Sequence, residues 1–246
     1  MKFVIKKDLR ALLPGFAMFV TGGIAMLIIT AFALFSGNGN FAVTAMYIFL
    51  FAPAAVIIYV SVRGADVFRK NLLDLNYPDV FVQEGISVRR FVIYKLCEAF
   101  VMGAALLIEY VLFIAVSIFL AEKKFAGNSD MTGFLDRMKE GTGINFNPGT
   151  MFLVFLELVA VLFCVTALVF LAFSLCYKFF LRYKYAFGAS ILTSLTMFWV
   201  VWKIFDTIVP AKGMMSIVGT ILFALLSGMV LSAVLVLLSD RLFERQ

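Results

Sequence analysis

Glu109 and Glu157 are the two carboxylic acids of this chain that stand well inside long apolar runs. An ionisable side chain in hydrocarbon costs a few kcal/mol or more, so each requires a physical reason. The run holding Glu109 reads outward and the run holding Glu157 reads inward, which sets the two at similar depths near the outer leaflet. If they face one cavity, they attract a cationic or amphipathic substrate; if not, each is hydrogen-bonded to a neighbouring helix or carried uncharged. Glu98 has Tyr94 and Lys95 one helical turn earlier, and a local pair accounts for it.

Other chemistries lack their parts. With no His in the chain, zinc hydrolysis of the HExxH kind, Ser-His-Asp triads and His proton relays are excluded. Cys97, Cys164 and Cys176 lie in or at the edge of apolar runs without CxxC spacing, as buried small hydrophobes rather than a disulfide or metal framework. No G-x-x-x-x-G-K-[ST] phosphate loop occurs, so ATP hydrolysis by that route is not expected. An intramembrane enzyme would need a nucleophile and base beside the two acids, so we expect no enzyme here and no metal or cofactor.

The elements that carry these residues follow from composition. Of 246 residues 63% are hydrophobic, 29 are Phe and only 15% are charged, more apolar surface than a soluble domain of this size buries. Runs long enough to cross about 30 Å of hydrocarbon occur near 12–36, 41–62, 91–120, 151–176, 186–209 and 214–238. The expected fold is an all-α membrane protein, a six-transmembrane-helix bundle forming one domain over 1–246, without repeats or linkers. The net charge of +6 does not point to nucleic acid, because the basic residues punctuate the gaps between apolar runs.

Orientation follows from the same residues. Fifteen of the 21 Lys and Arg fall on the side of the amino terminus, the 63–90 loop with Lys95, the 177–185 turn and the tail. Both termini are therefore expected in the cytoplasm of a plasma-membrane, multi-pass protein. Trp199 and Trp202 near the outer end of the fifth run, and Tyr177, Tyr183 and Tyr185 at the cytoplasmic turn, sit where amphipathic rings settle. Residues 1–13 read either as an amphipathic interfacial elbow, with Ile5, Leu9 and Leu12 on one face, or as a plain basic anchor. The apolar run that follows is too long for a signal peptide and meets no cleavage site, so the segment is expected to be retained. Gly22-Gly23 and Pro53 mark kinks or close helix contacts, and 121–148 forms an external loop.

The polar stretch 63–90 is longer than two neighbouring helices need for a turn. Phe68, Leu72 and Leu75 recur at helical spacing beside Arg69, Lys70, Asn71 and Asp74, and Pro78 should end any helix. Such a short amphipathic helix suits docking to a cytosolic partner. The succession Gly85, Ser87, Arg89, Arg90 and Lys95, leading into the third run, resembles a segment of type 2 ATP-binding-cassette (ABC) permeases. That family also has a basic elbow, six helices with both termini inside, and a cytoplasmic coupling helix between the second and third spans.

The resemblance implies the membrane-spanning subunit of an ATP-driven exporter. Phe68, Arg69, Asn71, Leu72, Asp74, Leu75, Arg89 and Arg90 would engage a separate cytosolic ABC ATPase, which binds ATP and Mg. A second permease chain, identical or not, would complete the assembly. Alternating access would carry a hydrophobic or amphipathic substrate outward, with a peptide favoured because Glu109 and Glu157 would receive basic residues. A non-ABC secondary transporter or channel is the main alternative, expected to show inverted repeats or interrupted helices lined by polar residues. A scaffold or sensor without transport is a further one.

Overall fold

A computed structural model describes residues 13–14, 17–25, 27–29, 31–32, 35, 39–73, 87–124, 136, 148–179, 183–209 and 214–243. All regular structure among these residues is α-helical. A short apolar helix α1 (Ala17–Ile29) is followed by α2 (Gly39–Leu73), α3 (Val88–Lys124), α4 (Pro148–Phe179), α5 (Tyr183–Ile208) and α6 (Met214–Phe243). Among the described residues, helices α2 to α6 are the five that are long and apolar enough to cross a membrane, the makeup of a multi-pass membrane protein. Helix is the form such sequences must take, because in hydrocarbon every backbone N–H and C=O has to be satisfied within its own segment.

Residues 1–12 of the expected elbow, 74–86 of the cytoplasmic loop, and 125–135 and 137–147 of the external loop lie outside the described residues. Helix α2 does not stop with the apolar run near residue 62; it continues through Leu73, with Pro53 inside it. Arg63 and Asp66 pair along this continuation at 3.4 Å, and Ala65, Asp66, Val67 and Phe68 are all buried, so it is held by packing and not by its polar residues alone.

Helix α4 organises the bundle, packing on α2, α3, α5 and α6, and its span is 67% buried against 11% for that of α5. Leu162, Leu168, Phe170 and Phe173 of α4 meet Phe68 of α2 and Leu106 and Leu107 of α3 in one core. Since lipid tails are as apolar as these side chains, close packing and interhelical hydrogen bonds must hold the helices together. Ser61 of α2 and Thr166 of α4 supply such a bond, buried, at 3.0 Å. The Tyr110 hydroxyl of α3 donates another to the Phe19 carbonyl of α1 at 2.9 Å.

Small residues permit the closest approaches. A Cβ on Gly103 would stand 2.6 Å from Leu162 and one on Gly23 3.0 Å from Phe113, which makes Gly23 a close-contact site, whereas one on Gly22 would meet nothing nearer than the Tyr110 hydroxyl at 3.9 Å. The tightest case is Gly228 of α6, where a Cβ would lie 2.5 Å from the Phe163 ring and 3.3 Å from the Cα of Cys164. Backbone cannot rotate aside, so α4 and α6 would have to separate. Gly228→Leu is expected to lower stability by about 1–3 kcal/mol in a detergent-denaturation titration. Gly188→Leu, with nothing within 4 Å of its Cβ, should stay within about 0.5 kcal/mol of the parent. Equal effects at the two positions would show that the α4–α6 contact is not tight.

Candidate functional site

A cleft that the sequence did not announce lies between α4, α5 and α6. On α4, Val161, Cys164, Val165 and Leu168 follow Glu157 at i+4, i+7, i+8 and i+11, one face of the helix extending about 16 Å. Helices α5 and α6 both lie on this face but scarcely on each other. They touch at one end, where the Val209 side chain would be 2.9 Å from a Gly219 Cβ and where Phe205 meets Phe223 edge-on at 5.5 Å. Between them a cavity of about 110 Å³ is lined by those four α4 residues, by Phe198, Val201, Trp202 and Phe205 of α5, and by Thr220, Phe223 and Ala224 of α6.

Its aromatic wall is a ladder along α5. Phe198 stacks on Trp202 at 6.3 Å, and Trp202 tilts onto Phe205 at 5.5 Å. Phe198 and Trp202 are also exposed. Thr220 is the polar lining residue. Its hydroxyl donates to the Ser216 carbonyl at 2.8 Å and stands near Glu157.

Glu109 has different surroundings. Its Oε1 lies 3.5 Å from the position of a Gly23 Cβ, on the side of α3 that meets α1, whereas Glu157 meets α6 through Thr220. Neither Glu109 nor Glu157 is among the residues lining the cleft.

Toward the other end of α3, Lys95 and Glu98 form the local pair expected from their spacing, Nζ to Oε2 at 2.9 Å. Lys95 is no superficial anchor, however: it is 2% exposed, with its ammonium over the rings of Phe91 and Tyr94 at 5.6 and 5.5 Å. Phe68, expected among the docking residues, is a core residue at 1% exposure, stacked on Phe91 at 5.8 Å and tilted on Phe170 at 5.3 Å. Arg69, Asn71 and Leu72 belong to the last turns of α2, while Asp74 and Leu75 lie outside the described residues. Arg89 and Arg90 are exposed in the first turn of α3. Ser87 caps that helix: its Oγ accepts the Arg90 N–H at 3.4 Å and its carbonyl accepts the Phe91 N–H at 3.1 Å. Cys164 and Cys176 are buried as expected, but Cys97 is exposed. No cluster of three or more metal-ligating side chains occurs among the described residues.

Sequence reasoning passed over Thr220, Trp202, Phe205 and Phe223 as site residues. The one available signal was the i, i+4, i+7 series running on from Glu157, and in a helix that is apolar all round such a series carries no contrast. No family model, curated protein or solved structure matches the chain.

Proposed function

We propose that this chain is the permease subunit of an ATP-driven ABC exporter, crossing the plasma membrane six times with both termini inside, coupled to a separate ATPase, and paired with a second permease chain. The observation that carries the reading is the unbroken run of α2 from its apolar span through Leu73. Phe68 clamps that run between Phe91 of α3 and Phe170 of α4. A push on the end of α2 would therefore move three helices as one body, which rigid-body switching between inward and outward states requires. Arg69, Asn71, Leu72, Asp74 and Leu75, with Arg89 and Arg90, form the docking surface in this reading, and Phe68 transmits from beneath it. The basic amino terminus and the Gly85-to-Lys95 segment support it in sequence.

In this reading Glu157, near Thr220 of α6, and Glu109, beside α1, are the acids of the substrate pathway, which suits hydrophobic or amphipathic cargo, peptides included. The test is copurification with the ABC ATPase encoded beside its gene. The parent chain should hold the ATPase through gel filtration, and Leu72→Asp with Leu75→Asp should weaken that complex at least tenfold, since each places a charge in an apolar docking contact. Failure of the parent chain to hold any such ATPase would remove the exporter reading.

A further inference from the structure

We infer that the later half of α5 is a contact face for a second copy of this chain, with Lys203 of each copy paired to Asp206 of the other across a two-fold axis. The inference deepens the proposed reading by naming a surface for its second permease chain, and it rests on that reading only for what the pair transports.

The first observation is a conflict within α5. Of the five spans it is both the least buried and the least apolar. In lipid the helix with most of its surface turned outward should be the most apolar, and the conflict ends if part of that surface meets protein instead. The second observation is a repeat. Leu192, Trp199 and Asp206 recur every seven residues, Leu195 and Lys203 stand beside them on the same face, and all five are exposed. A seven-residue repeat along one face is the seam of two helices wound about each other.

The charges choose the occupant. Lys203 and Asp206 lie three apart within the span of α5, yet among the described residues neither forms an ion pair. A lysine can lead its ammonium out toward headgroups, but the short stem of Asp206 has no such reach. Two copies in one membrane are related by a two-fold axis along its normal, so equal residues face each other at equal depth. The two charged levels are about 4.5 Å apart along the helix, a separation a lysine side chain bridges. Four charges of alternating sign then close into a neutral ring, with Trp199 one turn earlier as its apolar neighbour. An unrelated partner would have to bring an acid and a base at these same levels, whereas a second copy already carries them.

The test uses the full chain in phosphatidylcholine vesicles, with the exposed Cys97 replaced by Ser. Trp199→Cys should crosslink to a second copy under mild oxidation, while Ile204→Cys, also exposed but about 140° further round the helix, should not. Energy transfer between labelled copies at rising lipid dilution then reads the charges. Asp206→Lys places four positive charges at the contact and Lys203→Asp four negative ones, and each should weaken self-association at least about tenfold. Mixed together, the two variants should pair as tightly as the parent, because every Lys then faces an Asp of the other copy; this recovery also shows that both fold. Absence of the crosslink at Trp199→Cys, an equal one at Ile204→Cys, or self-association that neither reversal weakens overturns the proposal. So does a Trp199→Cys chain that crosslinks in cell membranes only to a different protein. An intact chain that captures its ATPase yet stays single, or pairs by another face, would sink this inference while sparing the exporter reading; pairing through α5 without ATPase capture would do the reverse.

Discussion

Phe68→Ala should destabilise the bundle by about 3 kcal/mol and, more tellingly, free the last turns of α2 from α3 and α4. Phe68 is one of the largest fully buried side chains, packed on Phe91 and Phe170. Truncation to Ala leaves a cavity that these neighbours refill only in part, and Phe→Ala changes in cores cost about 3–5 kcal/mol. The lower end is expected because the reference state in a membrane already solvates apolar side chains, so the cavity and lost contacts dominate. Gly64 makes collapse harder still, since its Cα side already lies against Ala99 and Phe170. Detergent-denaturation midpoints measure the loss, and amide exchange over 63–73 should rise by more than in α5. If Phe68→Ala costs under about 0.5 kcal/mol, the clamp does not exist and neither does the rigid link between the end of α2 and the core. Should exchange rise without loss of the ATPase complex, docking and transmission are separable, and Phe68 belongs to the second.

Lys95→Met is the other large effect. Removing the ammonium leaves Glu98, whose second oxygen, Oε1, already has no hydrogen-bond partner among the described residues, buried without its 2.9 Å counter-ion. Breaking a buried pair from one side costs about 3–5 kcal/mol, whereas replacing both members with apolar residues is commonly neutral or stabilising. The double change Lys95→Met with Glu98→Leu should therefore recover most of the loss. Phe91 and Tyr94 lose a cation over their rings in either case, which leaves a residual cost of about 0.5–2 kcal/mol. A double-mutant cycle decides the matter: coupling of at least about 2 kcal/mol is expected, and additive single effects would mean that the pair contributes nothing as a pair.

The parts of the molecule that local sequence rules govern were the parts open to reading in advance. Lys95 and Glu98 sit three apart on one helix, so their contact needs no tertiary information beyond the helix itself. Ser87 before Val88 is a helix cap by residue type and place. The burial of Phe68 was not readable, because an aromatic at helical spacing beside Arg69, Asn71 and Asp74 is the pattern of an exposed amphipathic turn as much as of a core residue. What distinguishes the two is the arrival of Phe91 and Phe170 from elsewhere in the chain. Cys97 shows the converse, a small apolar residue in an apolar run that nonetheless faces outward.

By itself, the sequence determined that this is an all-helical, membrane-crossing chain and where most of its spans lie, because apolar stretches of that length in hydrocarbon leave the backbone only one way to satisfy its polar groups. Tertiary structure alone decided how each helix is rotated about its axis, and with it that Glu109 looks toward α1 while Glu157 looks toward α6. A soluble helix announces its inner face by an apolar stripe. A helix that is apolar on every side has no such stripe, and its rotation is set by where a Gly228 can admit a Phe163 and where a Ser61 can reach a Thr166.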